Sequence, residues 1–363
     1  MAVGAPDAAR AVGHAGVAAA LRSHLNAGLP GGLPEAGLPA AEVQASEIPC
    51  LIVNPLSFRA SLGLAEQAAA LASAHRAEVV TITSPAQLRL AVETILARRQ
   101  RHVMVLAGDG TVRAIVDQLA MLPPGSWIPD LLVLAGGRTN LTANDLVPGG
   151  AALATLERAL AAVASRRWDA RVVERCTLCV EQSPAPARHG FWIGAALIDG
   201  VIRRTHAHRA EGGASRTGFS STLVALTRLA WLGLRGRSGL ECPVLDIDAA
   251  PLGQLRGPVR LLLATTLQHR RELFDPYASR ADGGLRLTAV SRHAVRFWPS
   301  LPRLLTGRFS RAMTAADGYL SGSCEQAWIT GLGGYSLDGE AFDTDPARPV
   351  LLRRGPRLRF FAA

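Results

Sequence analysis

The sequence contains no lysine: all 39 of its basic side chains, in 363 residues, are arginine. Aromatic residues are also scarce, at 5%. A single-stranded nucleic-acid platform interleaves positive charge with aromatic faces on which bases stack, so this composition argues against a nucleic-acid partner. Cysteine is sparse and odd in number: Cys50, Cys176, Cys179, Cys242 and Cys324. Such a set does not read as a disulfide framework. Cys176 and Cys179 form a C-x-x-C inside a strand-like run, but no second ligand pair accompanies them, which disfavours zinc or redox use. No apolar stretch approaches the roughly 20 residues of a membrane-spanning helix. Near the N-terminus, Val17–Leu21 is short and hedged by Arg10, His14 and Arg22, unlike a secretory core. The expected location is cytoplasmic, with any membrane contact peripheral, on the inner face.

What the chain does have is apolar material. Hydrophobic residues make up 48% and charged residues 19%, which supports real cores over most of the length. The length suggests about two domains. The net charge of +10 favours anionic partners, such as phosphate-rich substrates or an anionic membrane surface. The load of Ala, Gly, Arg and Pro is an equally good source of that charge.

Residues 1–46 are rich in Ala, Gly and Pro and read as a disordered tail, with a weak helix over Val12–Leu25. Strands fit Pro49–Asn54, Glu78–Thr83, His102–Leu106 and Leu131–Leu134. Helical patterns fit the stretch up to about His75, then Pro85–Gln100, Val112–Leu122, Asn140–Leu146 and Ala151–Ser165. The wholly apolar strands mark burial on both faces, and their alternation with helices predicts a doubly wound parallel sheet over 47–167. A last strand returned from the C-terminus is compatible with it. From Trp168 onward the pattern turns β-rich, with strands at Val172–Glu181, Gly190–Ala196, Val244–Ile247, Val259–Thr266 and Leu285–Val290. One long helical region, Ser220–Leu234, interrupts them. Trp328–Thr330, Tyr335–Leu337, Pro349–Leu352 and Leu358–Phe361 follow. Residues 168–363 therefore read as a β-rich, sandwich-like second domain.

Three segments point to chemistry. The first is Gly108-Asp109-Gly110-Thr111, between a buried strand and a helix. Glycine lets the backbone approach a ligand, and a helix start offers N–H groups and partial positive charge to a phosphate. An ordinary Asp-Gly turn explains these four residues equally well. The second is Gly136-Gly137-Arg138-Thr139-Asn140, followed by Asn144-Asp145-Leu146, after the next buried strand. In open α/β sheets, ligands bind at the carboxyl ends of strands, so two such loops build one crevice. The third is Asn54-Pro55-Leu56-Ser57-Phe58-Arg59, where Ser57 and Arg59 suit phosphate.

Together these segments resemble the catalytic domain of the diacylglycerol kinase family, which includes sphingosine kinases and bacterial lipid kinases. That family carries Asn-Pro-x-Ser-Gly, Gly-Gly-Asp-Gly-Thr, and Gly-Thr-x-Asn followed by Asp-Leu or Asp-Phe, in this order and spacing. The terminal Asp338-Gly339-Glu340 resembles its Asp-Gly-Glu signature, and Asp282-Gly283-Gly284-Leu285 its Asp-Gly-x-Leu segment. Phe58, Ala107 and Arg138 depart from the family pattern.

The resemblance covers about residues 48–362. It implies an α/β nucleotide-binding domain plus a β-rich domain, as in NAD kinases and diacylglycerol kinases. It implies ATP-dependent phosphorylation of a lipid hydroxyl at a membrane surface. Asn54, Pro55, Ser57, Arg59, Thr83, Gly108, Asp109, Gly110, Thr111, Gly137, Thr139, Asn140 and Asp145 would hold ATP with Mg2+. Asp338 or Glu340 would take the acceptor proton, with Asp109 also catalytic. Asp282, with carbonyls of Ser279 and Gly284, would hold a structural Mg2+. A homodimer is the expected assembly. A kinase of a soluble acceptor such as NAD, which shares the Gly-Asp-Gly turn, remains open. So does a non-catalytic lipid- or nucleotide-binding protein, the reading that the three departures motivate.

Overall fold

Four consecutive apolar residues, Cys50–Val53, form strand β1, and every one of them is buried. The computed structural model describes residues 45–200, 202–203, 242–268, 275–278 and 284–362. The expected tail and the Ser220–Leu234 helix therefore lie outside the described residues, apart from positions 45 and 46.

β1 pairs in parallel with β2 (Glu78–Thr81) and β3 (His102–Ala107), and β3 pairs in parallel with β4 (Asp130–Ala135). All residues of β3 and β4 are buried. Alternate residues serve opposite layers. Ile52, Val103, Val105 and Val133 pack against α2 (Pro85–Ala97) and α3 (Asp109–Ala120). Leu51, Met104, Leu106 and Leu134 pack against α1 (Leu64–Ala74) and α5 (Ala152–Ala164). Only a strand covered on both faces tolerates such unbroken apolar runs. Truncating one of them, as in Leu106→Ala, would cost about 2–5 kcal/mol. A short helix, α4 (Leu141–Leu146), follows β4.

The β-rich part begins with β5 (Val172–Glu181), β6 (Arg188–Gly190) and β7 (Trp192–Ala196). The run expected as one strand over Gly190–Ala196 is thus split around Phe191. β9 (Gly253–Thr265) is longer than its apolar core suggested. Its first half pairs with β8 (Val244–Ala249), its second with β7 and with β10 (Leu285–Ser291). The helix α6 (Phe297–Leu305) and the strand β11 (Tyr319–Cys324) were not legible, because two prolines interrupt the first and small polar residues break the second. β12 (Gln326–Thr330), β13 (Gly334–Leu337) and β14 (Glu340–Asp343) follow.

The two C-terminal strands expected at Pro349–Leu352 and Leu358–Phe361 are one strand, β15 (Val350–Phe361). A register shift between Arg354 and Arg357 absorbs Gly355-Pro356. β15 runs antiparallel to β5 and β12, and its last residues lie parallel to β4. Phe360 enters one helical layer and Phe361 the other, so the end of the chain completes the sheet that carries the site. Residues from Gln44 onward form one compact unit.

Candidate active site

The loops after β1, β3 and β4 meet at the carboxyl edge of the parallel sheet. Helix α3 begins earlier than its apolar period suggested, at Asp109, so Asp109, Gly110 and Thr111 form its first turn. Gly108 is its N-cap, with no side-chain cap. A helix start of this kind presents backbone donors and a partial positive charge.

Side chains stitch the loops together. Gly108 N–H donates to Ser57 Oγ at 3.0 Å, and Asn54 Nδ2 donates to Thr111 Oγ1 at 2.9 Å. Arg59 contributes its backbone N–H, which donates to the Gly136 carbonyl at 2.8 Å, while its residue is exposed. Pro55 is half-buried beside it. Thr139 Oγ1 donates to Asp109 Oδ2 at 2.5 Å. Asn140 stands in left-handed conformation at φ 50° and braces its own turn, accepting from Gly137 N at 2.7 Å. Thr83, at the end of β2, is exposed and bonded to Gln87.

Gly108 and Gly137 are in backbone contact. A Cβ on Gly137 would lie 2.6 Å from Gly108 Cα, so only glycine permits this approach. Two of the departures noted in the sequence also meet: the Arg138 guanidinium lies 4.2 Å over the Phe58 ring. The stack engages the face of the guanidinium and fixes Arg138 beside the loop after β1.

The C-terminal carboxylates come to the same place. Asp338-Gly339 is the two-residue turn joining β13 to β14, with positive φ at both (47° and 90°). That is the turn an Asp-Gly pair favours. Asp338 is 4% exposed, and its carboxylate accepts from the Phe191 and Trp192 amides at 2.9 Å each. Burial, reinforced by the nearby charge of Asp109, pushes Asp338 up to about 7, against the lowering effect of the two amides and Arg113. Glu340 is more open, with its side chain 44% exposed. Its carboxylate reaches the first turn of α3: a Cβ on Gly110 would lie 3.0 Å from Glu340 Oε1.

Five participants escaped sequence reasoning: Arg113, Asp117 and the amides of His189, Phe191 and Trp192. Arg113, buried on α3, donates to Glu340 at 2.5 Å and pairs with Asp117 at 3.4 Å. Asp117 Oδ1 in turn accepts the His189 amide at 2.7 Å. Burial alone would raise Asp117, but His189 and Arg113 hold it below the usual carboxylate value. The signal for Arg113 was its place four residues after Asp109 and four before Asp117, one helical face. The amides of Phe191 and Trp192 carry no sequence signal.

Other expected residues go elsewhere or cannot be placed. Asp145 is buried and held by Arg175 Nε at 3.1 Å and the Gln268 amide at 2.7 Å, tying α4 to the β-rich part. Gly284 is half-buried just before β10, while Asp282 and Ser279 lie outside the described residues. Beside that segment, Asp275 and Arg286 form a buried ion pair at 3.1 Å. Among the described residues, no three His, Cys, Asp or Glu side chains are grouped to hold a metal unaided.

A crossing of two glycine loops at an uncapped helix start suits a phosphate-bearing ligand. Residues 49–172 match the model of the diacylglycerol kinase catalytic domain. Solved structures share the fold at low identity. A candidate diacylglycerol kinase from Bacillus anthracis str. Sterne superposes with a TM-score of 0.62 at 15% identity, covering 87% of this chain and 97% of that one. A second structure, of a diacylglycerol kinase from the same organism, gives a TM-score of 0.56 at 14% identity, with the same coverage. No curated protein matches by sequence. Over residues 49–172, about a third of its length, the chain is similar to a kinase domain, that of the diacylglycerol kinase catalytic-domain family.

Proposed function

We propose that this protein transfers the γ-phosphoryl group of ATP to a hydroxyl of diacylglycerol or a similar lipid, with Mg2+, at the cytoplasmic face of a membrane. The observation that carries this reading is the placement of Glu340 over Gly110, at the start of α3, beside the Gly108–Gly137 crossing. A proton acceptor thereby stands where a phosphate site and an incoming hydroxyl would meet. Phosphoryl transfer depends chiefly on positioning and charge neutralisation, and these residues supply both.

The cradle fits a triphosphate. Gly137 leaves no room for a side chain against Gly108, and the first turn of α3 has no side-chain cap. Ser57, Thr111 and Thr139 line it with hydroxyls, and Arg138 stands braced on Phe58 to pair with phosphate oxygens. The donor set also suits Mg2+ arriving with the nucleotide. Such an ion needs one or two carboxylates and takes its other ligands from phosphates and water. Asp109, held by Thr139, is the carboxylate in place for it. When bound, the ion would neutralise charge on the transferring phosphoryl group.

Glu340 is the general base in this reading, because its carboxylate is accessible and faces the phosphate turn. Arg113 orients it. Asp338 has both oxygens committed to backbone amides, so it anchors the turn that presents Glu340. Asp145, paired with Arg175, maintains the seam behind the site. Among the described residues, no helix is long and apolar enough to cross a membrane.

The test is transfer of labelled phosphate from ATP, with Mg2+, to a panel containing diacylglycerol, a sphingoid base, phosphatidylglycerol and NAD. Transfer to the lipid panel is expected. Transfer to NAD alone would sink the lipid reading. Nucleotide binding without any transfer would establish a non-catalytic binding protein instead.

A further inference from the structure

Between Asp282 and Asp317 the sequence has no acidic residue. Arg286 in this stretch is buried with Asp275, but Arg292, Arg296, Arg303, Arg308 and Arg311 are all exposed. None of these five forms an ion pair with a carboxylate among the described residues. Five exposed cations along one stretch, without a carboxylate partner among the described residues, favour an anionic partner.

The helix within this stretch is α6. It is anchored on one side: Leu304 is fully buried, and Phe297 and Leu301 pack against the cluster of Tyr277, Val290 and Tyr319. Arg260 lies 4.2 Å over the Phe297 ring and 5.6 Å over the Trp298 ring, fixing both from below. Just before the helix, Val295 stays 52% exposed, and Trp298 in its first turn is only half-buried. A helix with arginines, an interfacial tryptophan and exposed apolar groups suits the headgroup layer of a bilayer. A single strand would need open aromatic faces for stacking, whereas Phe297 and Phe309 pack into the cluster under the helix. The location is also apt, because the cluster under α6 includes Trp192, whose amide is held by Asp338. The surface therefore sits on the layer that backs the catalytic turn.

We propose that α6 and its flanking arginines form the surface by which this protein docks on an anionic bilayer, with Val295 and Trp298 entering the headgroup layer. The inference rests on the lipid-acceptor reading for its purpose, but its physical basis is independent of it.

Flotation of the full chain with vesicles tests it. Wild type is expected to float with phosphatidylcholine vesicles containing phosphatidylglycerol and not with phosphatidylcholine alone. Each arginine near such a surface contributes roughly fivefold in partitioning. The variant Arg292→Gln/Arg296→Gln/Arg303→Gln should therefore bind about a hundredfold more weakly. The same three positions changed to Lys should retain binding, and Val295→Asp should weaken it. All variants should phosphorylate a dispersed short-chain diacylglycerol as fast as wild type, which shows an intact fold and site.

Unchanged flotation of the triple Gln variant would overturn the proposal, as would equal binding to neutral vesicles. Loss of binding by the triple Lys variant, or displacement of the vesicles by a DNA duplex, would overturn it too. The two readings fail separately. A wild type that phosphorylates no lipid yet floats through α6 sinks the kinase reading and keeps the surface. A wild type active on dispersed lipid whose α6 variants float unchanged does the reverse.

Discussion

Arg113 of helix α3 donates to the carboxylate of Glu340 at 2.5 Å, joining the phosphate turn to a hairpin 227 residues further along the chain. The arginine is 7% exposed and also meets Asp117, so its guanidinium is fixed on two sides. Removing it should let Glu340 drift from the first turn of α3. Arg113→Gln is expected to lower kcat by up to about 10²-fold, the effect of a misplaced reacting group. The KM for ATP should hardly move, and Arg113→Lys should recover part of the loss. Equal losses in kcat and in ATP affinity would show instead that Arg113 serves the nucleotide.

Asp109 is bonded to Thr139 and adds to the charge around Asp338. Asp109→Ala should abolish transfer while leaving the thermal transition intact. A variant that keeps wild-type turnover would remove Asp109 from the mechanism.

Gly137 tests the cradle. A methyl group there meets Gly108 Cα at 2.6 Å, backbone against backbone, with no flexible side chain to yield. Gly137→Ala should destabilise the protein by about 1–3 kcal/mol, the usual cost of overpacking. It should also weaken ATP binding in a calorimetric titration. Tight ATP binding by a well-folded Gly137→Ala protein would place the nucleotide elsewhere.

Asp338 predicts a pH dependence of stability. An unfolded aspartate titrates near ~3.9, whereas here it is held up to about 7. The folded state thus binds the proton more tightly than the unfolded one. The stabilising contribution is complete below about pH 4 and is lost as pH rises to about 7. The loss across that window is at most about 4 kcal/mol. Urea unfolding at a series of pH values should show the decline in wild type and a flatter profile in Asp338→Asn, since asparagine also tolerates the left-handed turn. Identical profiles would mean that Asp338 does not titrate in this window.

Much of the fold was readable because its signals are local. Unbroken apolar runs at 103–106 and 131–134 can only be strands covered on both faces, and the glycine turns after them mark the ligand edge of such a sheet. The two C-terminal apolar runs were readable as strands but not as one strand, because Gly355-Pro356 looks like a break. Pairing with β5 along the whole length spans that irregularity. α6 was hidden by Pro299 and Pro302, and its packing against Tyr277, Val290 and Tyr319 reveals it.

The sequence alone singled out the three loops that the fold brings together. Glycines that permit close approach, hydroxyls beside them and a helix start are properties of short segments, so Asn54–Ser57, Gly108–Thr111 and Gly137–Asn140 were recognisable from their order. Only the tertiary structure decided the division of labour among the carboxylates. Asp338 and Glu340 are two residues apart in a single turn, and nothing local distinguishes them. The fold buries one against the amides of Phe191 and Trp192 and aims the other at Gly110 under the hold of Arg113. It also sends Asp145 to Arg175. Burial, hydrogen bonding and charge pairing depend on groups far away in the chain, and those contacts set which carboxylate is buried and which stays accessible.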